Sequence, residues 1–435
     1  MPSHKFSYRP PEIKRSLRLF CIIFLCLSLL VVSGCQQNAQ EKQGVTKITF
    51  WHGINPPENR DIFNALLDKF NKTHEKIEVE ALYIGQPDEQ LPKIIASIVG
   101  NQPPDVLWFV PQLTGELVKL NAIVPLEDWL DKSPLKSEID PAMFATMKLD
   151  DRIWSVPFAT NNAAMFYRPS LFKEAGITKL PETWDELREV AGRLTKDLDG
   201  DERLDRHGLL LSLGKGEWTV FAWLPFIYSA GGELLQNDRP NLVNSGTVKA
   251  LQFGTDLVKD NVAILSAPER GYELDNFLSG KVAMQITGPW TLAQLKKTNV
   301  DYDVFPIPAL EKKAAVLGGE SLFVFKTDPE REKASLKFLE YILSEEFQTE
   351  WALKTGYLPI NLKSQKSEKY KEFVEKHQVL KVFLQQMEWA RSRPIIPGYT
   401  RLSENLGRAI EASLLGDKNP EEALKEAQKR WDESK

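Results

Sequence analysis

The sequence predicts an α/β protein. Three observations point there: short apolar runs with strand character alternate with amphipathic helical stretches, each helical stretch keeps one apolar face, and the connections stay short. "KITFW" (47–51) is a compact β run. "RDIFNALLDKF" (60–70) follows, with Ile62, Phe63, Leu66, Leu67 and Phe70 on one helical face. "KIEVEALYI" (76–84) alternates on period two and reads as a strand. "LPKIIASIVG" is helical and stops at Gly100, and "DVLWFV" (105–110) is a third strand. Strand–helix–strand units of this length imply a parallel sheet with helices on its faces.

The pattern changes near Trp154, where "WSVPFATNNAAMFYRPSLF" is an extended run carrying Pro157 and paired asparagines. "LPETWDELREVAGRL" is next, a helix with Thr183 as N-cap and Glu186 three residues on, the capping-box spacing. A second α/β body runs to about Gly318. "DYDVFPIPAL" and "GGESLFVFK" read as strands joined through a glycine turn. "EREKASLKFLEYILSEEFQTEWALKTG" reads as one long helix, apolar at Phe338, Leu339, Ile342, Leu343, Phe347 and Trp351 and ended by Gly356. The tail holds two helices, the second capped by Asn419 with Pro420 at its first position. Without repeats or long linkers, two lobes joined by close crossings fit the body better than domains on a string.

The N-terminus has a different character. Lys5, Arg9, Lys14, Arg15 and Arg18 face a single acid, Glu12, and an uncharged run extends from Leu19 to Gly34. That run is shorter than the roughly 20 residues a membrane-crossing helix needs, so it reads as a signal segment. Val32-Ser33-Gly34-Cys35 resembles the bacterial lipobox, in which the cysteine thiol is acylated and becomes the mature N-terminus. Residues 1–34 are then a lipoprotein signal peptide and 35–44 a polar, lipid-anchored tether. Cys21 and Cys26 leave with the signal segment, so no disulfide forms within the mature chain, which rests on its hydrophobic core. Loss of the five basic residues and one acid takes the net charge from −5 to −9. A mildly acidic chain without Lys/Arg clusters is a poor nucleic-acid binder, so no nucleic-acid partner is expected.

The catalytic inventory is thin. Four histidines remain in the mature chain, His52, His74, His207 and His377, and no pair has the HExxH spacing. There is no CxxC, no GxSxG and no phosphate loop, and "GKGEW" at Gly214 lacks the third glycine of a dinucleotide fingerprint. Acidic residues are numerous, so a glycosidase-type carboxylate pair stays open as a rival. A long-polysaccharide adhesin is a third reading. What stands out is aromatic: all 11 tryptophans lie in the mature chain, several at strand ends or loops beside polar residues, namely Trp51, Trp108, Trp154, Trp218, Trp223 and Trp290. Sugar rings stack C–H faces on indole and give their hydroxyls to planar polar groups.

"DLDGDERLDRHG" places Asp197, Asp199, Asp201 and Asp205 at loop positions one, three, five and nine, the spacing of a calcium loop. Glu202 stands where such loops have glycine, and Gly208 where they have glutamate. A solvated acidic loop and a structural calcium site that takes no part in ligand recognition both remain open.

"ITFWHG", "PPDVLWF", "VPFATNNAAMFYRPSLFKEAGI", "PETWDEL", "GKVAMQITGPW", "LGGESLFVFK" and "TGYLP" together resemble the extracellular solute-binding protein family 1, the carbohydrate-binding components of ABC importers, which includes maltose-binding and glycerol-3-phosphate-binding proteins. The resemblance spans nearly the whole mature chain. It implies a two-lobed periplasmic-binding-protein fold of type II, each lobe a mixed sheet flanked by helices. Residues 45–158 and 322–356 would form the N-lobe, and 159–321 and 357–435 the C-lobe. Three crossings would join the lobes at a ligand cleft that closes by hinge motion. The resemblance also implies a non-enzymatic, extracytoplasmic, monomeric receptor, lipid-anchored beside an ABC permease, with no required cofactor.

Position by position, the resemblance assigns the cleft to Trp51 and His52 at the end of the first strand, Asp88 at a helix start, and Trp108 and Gln112 after the third strand. Asn161 follows the first crossing, where the maltose-binding relative has a glutamate, and Trp223 precedes "SAGGELL". Trp290 is the tryptophan of "GPW", Glu320 follows the glycines of the second crossing, and Tyr357 and Arg393 match positions that reach the ligand in the glycerol-3-phosphate relative. The serine-rich phosphate contacts of that relative are replaced by "ATNNA" and "QITGPW", which favours a neutral glycoside over a polyol phosphate.

Overall fold

Two five-stranded sheets, each walled by helices, organise the chain. The computed structural model describes residues 44–267 and 274–433, with Pro87 and Asp88 described by their backbone alone. Residues 1–43, which hold the expected signal segment, Cys35 and all but the last residue of the expected tether, lie outside the described residues. Among the described residues no helix is long and apolar enough to cross a membrane.

The first sheet is built from β1 (Thr46–His52), β2 (Ile77–Tyr83) and β3 (Val106–Phe109), linked by helices α1 (Pro57–Thr73) and α2 (Pro87–Val99). β1 pairs in parallel with β2 and β3, as right-handed strand–helix–strand units require. The sheet is finished by β4 (Val156–Pro157) and by a strand from far along the chain, Ser321–Val324, which runs antiparallel between β3 and β4. Asp105 staples this assembly: buried at the start of β3, its carboxylate accepts from Thr49 N at 2.8 Å and from Arg331 Nη2 at 2.6 Å. Phe50, Phe63, Phe70 and Phe338 meet with ring centroids 5.3–5.4 Å apart and fill the core between sheet and helices. Burying each of these side chains contributes roughly 2 kcal/mol.

The second sheet takes β5 (Ala164–Tyr167), β6 (His207–Leu211), β7 (Ala263–Leu265), β8 (Val282–Thr287) and β9 (Asp303–Phe305), in the order β7–β6–β8–β5–β9. β6 and β7 are parallel to β8 or to each other, whereas β5 runs antiparallel to both β8 and β9, so the sheet is mixed. The helix Trp184–Leu194 begins with the expected capping box between Thr183 and Glu186. The helix Glu217–Ser229 is buried at every position from Thr219 on, which makes it a core helix. The strands "DYDVF" and "SLFV" do not pair: they lie in different sheets, because the chain leaves the second lobe between them. The long helix expected before Gly356 is two helices, Pro329–Leu343 and Glu345–Thr355. Ser344 breaks it by adopting an extended conformation and capping the second helix, its Oγ accepting from Phe347 N at 3.2 Å. Gly356, at φ +87°, then supplies the left-handed stop.

Three segments pass between the sheets side by side. Phe158 N donates to Glu320 O at 2.8 Å, Gly318 N to Asn161 O at 2.8 Å, and Leu358 N to Thr160 O at 3.0 Å. The first crossing is thus the middle ribbon, held by the second on one side and the third on the other. Gly319 sits at φ +109° with Ala159 O 2.3 Å from where a Cβ would be, so only glycine lets the second crossing lie this close.

Candidate functional site

A cavity of about 330 Å³ opens between the lobes above these crossings. Its position follows from topology: β1, β3 and β8 aim their carboxyl ends at it, the place where α/β sheets expose loops to a ligand. The first lobe contributes Gly53, Asn55 and Pro56 after β1, Gln86 at the start of α2, and Trp108 and Val110 at the end of β3. The second lobe contributes Thr287 at the end of β8, Trp290, Thr291 and Gln294 just after it, Leu274 and Asp275, and Glu217, Trp218 and Phe221 from the first turns of the core helix. The crossings give Asn161, Gly318, Gly319, Glu320 and Tyr357.

Aromatic rings dominate the walls. Trp218 stands edge-on to Trp290, with centroids 5.7 Å apart and planes at 87°, and Phe221 tilts toward the same indole at 6.4 Å. Trp108 faces from the other lobe, its indole N–H buried and without a partner. Among the described residues the cation lining the cavity is Arg393, and its charge is already answered. Arg393 is buried, bridges to Glu217, and lies 5.0 Å over the Phe221 ring. Glu217 also accepts from Tyr399 Oη at 3.0 Å and from Ser403 Oγ. Burial alone would lower the Arg393 pKa, but the Glu217 carboxylate holds it above its ordinary value, so the guanidinium stays charged and paired. The same burial, with Glu217 adjacent, drives the Tyr399 phenol well above its usual range, so it stays a neutral donor. Arg393 Nε remains buried without a partner, a second donor at the cavity wall.

Of the residues assigned from sequence, Trp108, Asn161, Trp290, Glu320, Tyr357 and Arg393 come together here. Gln112 does not reach this cavity. It lines an adjoining one of about 410 Å³, which shares Val110 and Glu217 with the first, and its Oε1 is buried without a partner. Three placements are corrected. Trp223 is a core residue, its indole N–H donating to Ser212 O at 2.9 Å and Gly254 packed against its ring, because the helix that carries it is buried all round. His52 turns into the first lobe's core beside Phe50, with centroids 5.4 Å apart, and Ile54 N donates to its Nδ1. Burial, and then the charge of Arg60, lower its pKa to about 4, so it is a neutral acceptor. Trp51 points to the opposite sheet face and packs against the cluster containing Ile94, Leu107 and Phe325. The side chain of Asp88 lies outside the described residues; its backbone is in the first turn of α2.

Glu217, Phe221, Asn55 and Asp275 were not singled out from sequence, and Trp218 was named among the loop tryptophans without being assigned to the cleft. The "GKGEW" glycines do mark a helix start, since Gly216 caps the helix carrying Glu217, and that was the available signal. In the acidic loop, the exposed Asp197, Asp199 and Asp205 bring carboxylate oxygens within 4.8 Å of one another, whereas Asp201 stays out of the group. Their oxygens already accept the loop's own amides: Asp197 from Gly200 and Glu202, Asp199 from Asp201, and Asp205 from Leu198. These bonds shape the loop.

Residues 65–377 match the model of a family described as bacterial extracellular solute-binding protein. The sn-glycerol-3-phosphate-binding periplasmic protein of Yersinia pseudotuberculosis is 24% identical over 94% of this chain and 96% of its own length. A solute-binding protein of an ABC transporter from Thermotoga lettingae, solved with α-D-tagatose, superposes with a TM-score of 0.79 at 26% identity, covering 88% of this chain and 98% of that one. The GacH receptor of Streptomyces glaucescens, solved unliganded and with acarbose, gives the same TM-score at 24% identity, covering 89% and 97%. With a two-lobed fold, a cleft between the lobes and a family match across most of its length, the chain belongs to the bacterial extracellular solute-binding proteins.

Proposed function

We propose that the chain is the extracytoplasmic substrate-binding component of an ABC sugar importer, reversibly binding a small oligosaccharide or glycoside and doing no chemistry. One observation carries this reading: Trp108, Trp218, Trp290 and Tyr357 line the cavity from both lobes while Arg393, its cation among the described residues, is neutralised by Glu217. Flat aromatic faces with amide and carboxylate edges suit a neutral polyhydroxy ligand. A phosphate would have to compete with Glu217 for the guanidinium.

In this reading residues 45–158 and 322–356 move as one lobe and 159–321 and 357–435 as the other, around the three crossings. Ligand touching both lobes favours the closed form, because only that form makes both sets of contacts. Cys35 carries the lipid that keeps the receptor beside its permease. A thermal-shift screen over di- and trisaccharides, polyol glycosides and glycerol phosphates tests the ligand class. A ligand at 100 times its dissociation constant stabilises by about 2.7 kcal/mol. Response to glycerol phosphates alone would favour the second reading, a polyol-phosphate receptor, which the Yersinia relative's name supports. Release of shortened products from incubated oligosaccharides would replace both readings with a glycosidase.

A further inference from the structure

Asn59 belongs to α1 of the first lobe, yet its side chain is fully buried against the second. Its Nδ2 donates to the backbone carbonyl of Trp290 at 3.1 Å and to that of Asn55 at 3.2 Å. Both partners are carbonyl oxygens, so only the NH2 end of the amide can face them, and Oδ1 is left buried without a partner. One residue earlier, Glu58 reaches the second lobe as well, meeting the largely exposed Lys297 at 3.2 Å. Trp290 packs against the cores of both lobes. Asn59 does not line the cavity; Asn55 and Trp290, the two residues whose carbonyls it joins, do.

We propose that Asn59 is a positioning residue that acts as a closing latch: it makes its bond to the Trp290 carbonyl when the lobes close, and so fixes the aromatic wall of one lobe from the other without touching the ligand. The orphaned Oδ1 limits the latch. Closure gains one interlobe hydrogen bond but strips water from an oxygen that finds no partner. Such a latch favours closure in the empty receptor too, by no more than about one net hydrogen bond, so its loss is readable without ligand. This extends the sugar-receptor reading, but its test does not depend on the identity of the ligand.

Hydrogen–deuterium exchange on the full-length chain without ligand provides the test, comparing wild type with Asn59→Asp, which keeps the shape and loses the donor, and with Asn59→Ala, which loses the donor without adding a charge. The amides of residues 287–295 in the second lobe should exchange roughly five- to tenfold faster in both variants, the effect of one net hydrogen bond, while β6 keeps its protection. Faster exchange confined to α1 and its first-lobe neighbours would overturn the latch and leave Asn59 a local helix contact. A binding arm uses maltotriose as probe: if the wild type binds it, both variants should bind it several-fold more weakly, through faster dissociation. If the wild type does not bind it, the fault lies with that sugar as ligand, and the exchange result still decides the latch.

Discussion

Asn161 and Gly318 exchange backbone hydrogen bonds in both directions, Gly318 N to Asn161 O at 2.8 Å and Asn161 N to Gly318 O at 3.3 Å, where the first and second crossings run side by side. The approach is possible because Gly318 has no side chain: a Cβ there would stand 2.1 Å from Asn161 Oδ1 and 2.9 Å from the Phe221 ring. Gly318→Ala therefore has to push an asparagine and an aromatic ring off the cavity floor. The expected result is a loss of about 1–3 kcal/mol of stability, as for other overpacked sites, together with weaker ligand binding, read by urea unfolding and calorimetric titration. Unchanged affinity in a folded variant would show that the floor adapts.

Trp290→Ala removes the indole that faces Trp218 across the cavity wall. Ligand binding should weaken by about 1 kcal/mol or more, from aromatic contact energies, for whichever ligand the thermal screen identifies. Because Trp290 also touches both cores, circular dichroism has to accompany the titration. A variant that unfolds would assign the indole to packing instead.

His52 gives the protein a pH dependence of definite sign. Its pKa in the fold is about 4, against an ordinary value of 6.5, and the ring is 2% exposed. Between those values the unfolded chain binds a proton that the folded chain does not, so stability falls as pH drops from 6.5 toward 4 and then levels off. The full effect is about 3 kcal/mol. His207, whose pKa burial also lowers, adds in the same direction. His52→Gln should flatten the slope of denaturation free energy across this window. An identical slope in the variant would place the titration elsewhere.

Cys35→Ala tests the anchor. Cells fed a labelled fatty acid should label the wild-type chain and not the variant, and the variant should leave the membrane fraction. Label persisting on the variant would refute the lipobox reading.

Much of the architecture was legible because it depends on local periodicity. The 3.6-residue stripe of α1, the capping box at Thr183 and the glycine stop at Gly356 are decided by neighbours within a few residues. The cavity was legible only in part, and the failures have physical reasons. In β1, alternation puts Ile48, Phe50 and His52 on one face and Trp51 on the other, so period two alone predicts a buried histidine; a strand-end position outweighed that rule. Trp223 and Trp218 sit five residues apart on one helix, one in the core and one at the cavity. What separates them is position along the helix: Trp218 is in the first turn, whereas Trp223 lies in the all-buried stretch packed against Gly254, a contact set by a distant segment. The Arg393–Glu217 pair joins residues 176 apart, and no local pattern announces it.

The strand Ser321–Val324 lies inside the first sheet, between β3 and β4, although more than 160 residues separate it from either. Until it arrives, β3 has one open edge and the buried Asp105 lacks Arg331. The order of synthesis and the order of assembly are therefore decoupled: the sheet begun first waits for a strand made more than 160 residues later. Such sequence-distant pairing is slow to form. A chain threaded through a membrane N-terminus first would keep its leading half unassembled until about three quarters of its length had crossed, which leaves it slack enough to thread and lets the sheet close only on the far side.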